Sequence, residues 1–128
     1  MRYRHYAPEG AVLLVEGSEA ETLEALRRLY RAAEAEGEKA CVLCFSEHAH
    51  ALSDCAPHDL GSISRPEETA GRLFDVLRGL DRDGYTAIFS EVVNPEGVGL
   101  AVMNRLGRAA GFHTVSATEV LRPDHKEE

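Results

Sequence analysis

Three expected strands end in a carboxylate: Glu16 directly after its apolar run, and Glu47 and Glu91 one serine after theirs. Gathered at one edge of a sheet, they would share protons for acid/base work or hold a divalent ion; spread apart, they are solvated strand ends. Sulfur and imidazole come next. Cys41 and Cys44 form a C-x-x-C, followed by His48, His50, Cys55 and His58. Residues three apart in a strand point to opposite faces, so the cysteine pair reads as two small buried side chains rather than a metal or redox pair. The histidines lack zinc-finger spacing, and residues 46–57 read as a polar surface segment holding one helical turn. A glycine-rich turn, Gly97-Val98-Gly99, precedes Asn104 and Arg105. Its glycines would let backbone approach a ligand, or they shape a turn and nothing more. The candidate ligand-binding set is therefore Glu91, Gly97, Gly99, Asn104 and Arg105. No Ser–His–Asp or Cys–His set can be assigned by spacing, so the residues alone show no catalytic machinery. No metal site is expected.

These groups need elements to hold them. Residues 11–16 form a continuous apolar run, the pattern of a strand buried on both faces of a parallel sheet. Ser18 with Glu21 has capping-box spacing, and a helix follows with Leu23, Leu26, Tyr30 and Ala33 on one face, ending at Gly37. Residues 40–45 are a second buried strand, and residues 59–63 a short, weak one. Ser64 with Glu67 suggests another capping box around Pro66, opening a helix striped by Ala70, Leu73, Phe74, Leu77 and Leu80. After a turn at Asp83-Gly84 come a strand over 87–91 and a helix carrying Val98, Val102 and Leu106, with Gly111 at its end. Residues 114–117 are expected to add an edge strand. Strands alternating with helices at this spacing predict a small Rossmann-like three-layer α/β fold. Its sheet is mostly parallel, with four to five strands and helices on both faces.

Composition narrows the function classes. The chain has 128 residues, one domain's worth, with 14 Lys and Arg against 22 Asp and Glu and a formal net charge of -8. Such a surface repels phosphate backbones, which argues against direct nucleic-acid binding. The turn after the first strand, Glu16 to Glu21, lacks a G-x-G-x-x-G or Walker pattern and carries three carboxylates, a poor cradle for pyrophosphate. There is no membrane-length apolar run and no signal-peptide pattern, and three cysteines fit free thiols; a cytoplasmic location is expected. Residues 1–10 read as an extended arm, basic and aromatic in an acidic chain, with Tyr and Arg residues of the kind that dominate binding hot spots. Residues 11–121 form the domain and 122–128 a charged tail.

Three separated motifs carry a resemblance. They are Arg2-Tyr3-Arg4-His5-Tyr6-Ala7-Pro8, then Arg72-Leu73-Phe74-x-x-Leu77-Arg78-x-x-Asp81, then the run from Gly97 to Leu106. In this order, over nearly the whole chain, they resemble the C-terminal domain of two-domain threonylcarbamoyl-AMP synthases. That family condenses threonine, bicarbonate and ATP, supplying the threonylcarbamoyl group for tRNA adenosine. The resemblance implies a Rossmann-like accessory domain whose partner is a YrdC-type catalytic domain, covalent or in trans. That catalytic domain, which has no counterpart in this chain, would hold the ATP and Mg used by the family; no cofactor is expected in the chain itself. It also implies that Tyr3, Arg4, His5 and Tyr6 belong to a linker lying over the catalytic pocket. Three readings follow: a non-catalytic accessory domain, an independent module binding a small-molecule or nucleotide effector, and a metal-dependent hydrolase built on Glu16, Glu47 and Glu91.

Overall fold

The computed structural model describes residues 12–92 and 113–122. In chain order the elements are β1 (Val12–Glu16), α1 (Glu19–Ala35), β2 (Ala40–Cys44), α2 (Ser46–Ala49), β3 (Pro57–Asp59), α3 (Pro66–Arg82), β4 (Ala87–Glu91), β5 (His113–Ser116) and a short α4 (Ala117–Val120). The strands make one parallel sheet in the order β3-β2-β4-β1-β5. The central strand is therefore β4, flanked by β1 and β2. Side-chain alternation assigns the faces. Leu13, Val15, Val42, Cys44 and Phe89 pack with Leu26, Leu29 and Tyr30 of α1. Val12, Leu14, Cys41, Leu43 and Ile88 pack with Leu73 and Leu80 of α3. The α1 crossover runs from β1 to β2, and the α3 crossover runs the opposite way along the sheet, from β3 to β4. Right-handed connections of opposite direction lie on opposite faces, as these do. The fold class expected from the sequence is the one observed.

The helix boundaries have local causes. Ser18 caps α1, its Oγ accepting the Glu21 N–H at 3.3 Å. At the other end, Gly37 N–H donates to Glu34 O and Glu38 N–H to Ala33 O, a Schellman pair that needs a left-handed residue, and Gly37 has φ +85°. The end of α3 repeats the pattern, from Gly84 to Asp81 and from Tyr85 to Leu80.

Some expectations require correction. The N-cap of α3 is Arg65, with Pro66 in the first turn and no side-chain cap bond; Ser64 instead gives its N–H to Ser62 Oγ. Proline at N1 removes one of the four N–H groups that the first turn leaves without an intrahelical partner, and its fixed φ suits the helix start. The third strand runs over Pro57–Asp59 rather than 59–63, because Val42, Leu43 and Cys44 pair with those residues. Ala117 begins α4 instead of ending the edge strand. The arm 1–10 and the expected helix from Val98 lie outside the described residues.

Candidate functional site at the carboxyl edge of the sheet

Strand alternation puts Glu91, two residues after Phe89, on the α1 face at the carboxyl end of the central strand. It is 6 % exposed. Its Oε2 accepts the Phe45 N–H at 3.0 Å and lies 2.8 Å from His48 Nδ1. His48, in α2 just after β2, is 7 % exposed and meets the Phe45 ring edge-on. Its Nε2 lies 3.1 Å from Oε2 of Glu19, the first residue of α1, whose side chain is largely in solvent. Three adjacent strands thus each deliver one member of a carboxylate–imidazole–carboxylate chain at the edge where ligands sit in open α/β folds.

The electrostatics follow from this packing. Desolvation raises the Glu91 carboxyl above its ordinary value, against the opposing pull of His48 and the Phe45 N–H. Burial alone would lower His48, but the hydrogen bond and charge of Glu91, with those of Glu19, outweigh it and raise the imidazole. Both ring nitrogens are engaged by protein groups, so neither is open to a substrate in this arrangement. The chain can hold a proton and tie three loops together.

The other candidates fall differently. Glu47 is exposed and turns to Ser62 Oγ at 2.6 Å and Ile63 N–H at 3.0 Å, which hold its carboxyl low. Glu16 is exposed. The bonds of Glu91 and Glu47 go to different partners, and the residues that do join Glu91 are His48 and Glu19. His48, expected on a polar surface, is buried instead. Its only sequence signal was a histidine soon after a buried strand. Cys41 and Cys44 lie on opposite faces of the sheet, and all three cysteines are free and buried. Among the described residues, no group of three or more His, Cys, Asp or Glu is placed to hold a metal ion. Glu16, Glu19 and Glu21 are all exposed around the first turn of α1, which does not fit a nucleotide triphosphate. Gly97, Gly99, Asn104 and Arg105, like Tyr3, Arg4, His5 and Tyr6, lie outside the described residues.

Comparison with known proteins defines the family. Residues 1–111 match the family model described as threonylcarbamoyl-AMP synthase, C-terminal domain. The chain is 35% identical over 119 residues to a threonylcarbamoyl-AMP synthase of Pyrococcus abyssi, covering 90% of this chain and 32% of that protein. It is 35% identical over 115 residues to a Bacillus subtilis protein of the same name, with the same two shares. Among solved structures, P. abyssi Sua5 complexed with L-threonine aligns with TM-score 0.67 and 37% identity, over 90% of this chain and 33% of that one. The C-terminal Sua5 domain from Pyrococcus horikoshii aligns with TM-score 0.62 and 32% identity, over 86% of this chain and 99% of that one. The chain belongs to the family of threonylcarbamoyl-AMP synthase C-terminal domains. It spans about a third of the length of the curated relatives it matches.

Among the described residues, no helix is long and apolar enough to cross a membrane.

Proposed function

We propose that this chain is the accessory, non-catalytic domain of a threonylcarbamoyl-AMP synthase, working with a YrdC-type catalytic domain that binds ATP, threonine and bicarbonate. The supporting observation is the pattern of coverage. The match takes in nearly all of a solved C-terminal domain but only a third of full-length relatives. The engaged state of His48 and Glu91 agrees with this reading, since the described carboxyl edge is tied up in its own hydrogen bonds. The role is to anchor the arm bearing Tyr3, Arg4, His5 and Tyr6 so that it covers the catalytic pocket of the partner domain.

The test mixes this chain with a separately produced YrdC-type domain and measures pyrophosphate release from ATP, threonine and bicarbonate. Each piece alone and a Tyr6→Ala variant serve as controls. A gain from the mixture that Tyr6→Ala removes supports the arm's role. Turnover by this chain alone defeats the non-catalytic reading.

A further inference from the structure

The Glu19–His48–Glu91 cluster has a proton requirement of its own, apart from that role. Each ring nitrogen of His48 faces a carboxylate oxygen. A neutral imidazole carries one N–H, so with both carboxylates ionised one contact would set a bare nitrogen lone pair against an anionic oxygen. Two good hydrogen bonds require one more proton in the cluster, on the imidazole or on a carboxyl. Glu91 cannot turn away to water, because it is buried and its Oε2 also receives the Phe45 N–H. Glu19 can: its side chain is 72% exposed, and it starts α1 beside the β1–α1 turn.

We propose that Glu19, His48 and Glu91 form a proton-held latch, in which one proton ties the first turn of α1 to α2 and the end of β4, and its loss releases Glu19 into solvent. The groups around the ring are accounted for. From α1 comes Glu19, from β4 Glu91, and from the start of α2 the edge of Phe45. Glu47, next in sequence, is turned to Ser62 and Ile63, and the thiol of Cys44, at the end of β2, stays protonated near neutral pH. Release is local, since Ser18 still caps α1 and Glu21 still accepts from Thr118 Oγ1. The imidazole is raised in the folded chain, which sets the switching range above the ordinary histidine value of 6.5.

The experiment is a 15N NMR titration of the histidine rings, with His48→Gln used to assign the His48 signals. Glu19→Gln is the informative variant. Its amide NH2 can donate to Nε2, so a neutral ring with Nδ1–H directed at Glu91 is fully satisfied and the extra proton is no longer required. In the unmodified chain the His48 midpoint should lie above 6.5, with both ring nitrogens giving protonated-ring shifts below that midpoint. In Glu19→Gln the midpoint should move down, and in the unmodified chain the 13C signal of the Glu19 side-chain carboxyl should shift at the His48 midpoint. Glu19 is exposed, so the variant is expected to fold, which its amide spectrum verifies. A His48 midpoint at the ordinary value, or one that Glu19→Gln leaves in place, overturns the latch. A Glu19 carboxyl signal that does not move at the His48 midpoint also overturns it.

Discussion

Glu91 is a carboxylate at the end of a wholly buried strand, and its burial is tolerated because its Oε2 receives a backbone N–H and faces a histidine. That arrangement sets the pH dependence of stability. A histidine raised on folding contributes stability that is fully present below 6.5 and is lost as pH rises through the folded value. Glu91, also raised, acts in the same direction, its contribution waning as pH rises from 4.5 through its folded value. Glu47, Asp54 and Asp59 are lowered by hydrogen bonds from Ser62, Arg31 and Ser46 respectively. They contribute above 4.5 or 3.8 and lose that contribution as pH falls. The urea midpoint is therefore expected to peak in the mildly acidic range and to decline above 6.5. Glu19→Gln should flatten the decline while leaving the acid limb intact.

The β1–α1 turn is the element on which the edge depends. A Cβ placed on Gly17, which has φ +154°, would sit 3.0 Å from the Ala117 Cβ, so the turn and α4 touch where only a hydrogen fits. Gly17→Ala must push α4 away or shift the turn, and overpacking of this kind costs about 1–3 kcal/mol. The loss should appear as a lower urea midpoint with an unchanged slope. It should also weaken the Thr118–Glu21 contact, visible as faster amide exchange in α4. A neutral Gly17→Ala would mean that both α4 and the backbone at Gly17 accommodate the methyl group.

At the scale of the whole molecule, the parallel sheet with helices on both faces shuts all three thiols away from solvent. Desolvation pushes Cys41 and Cys44 up to about 12 and Cys55 up to about 11. None should react with a thiol reagent in the native state, and all should react together once urea unfolds the chain. Early reaction of one cysteine would reveal a local opening. The same topology explains the geometry of the site. With β4 between β1 and β2, the residues after three neighbouring strands converge on one edge.

The sequence by itself determined the elements whose signals are local. Continuous apolar runs marked β1, β2 and β4, and Ser18 and Gly37 bounded α1. Three-residue spacing in a strand separated Cys41 from Cys44. The sequence also carried the motifs by which the family is recognised. Tertiary structure alone decided the strand order, the position of β3 and the company of Glu91. The β3 strand is three residues long and is defined by pairing with β2, which no periodicity reveals. His48 stands 43 residues before Glu91 and 29 after Glu19. Nothing in local spacing joins residues so far apart, because their contact is created by the successive crossover connections from β1 through β2 and β3 to β4, which return the chain to a common edge.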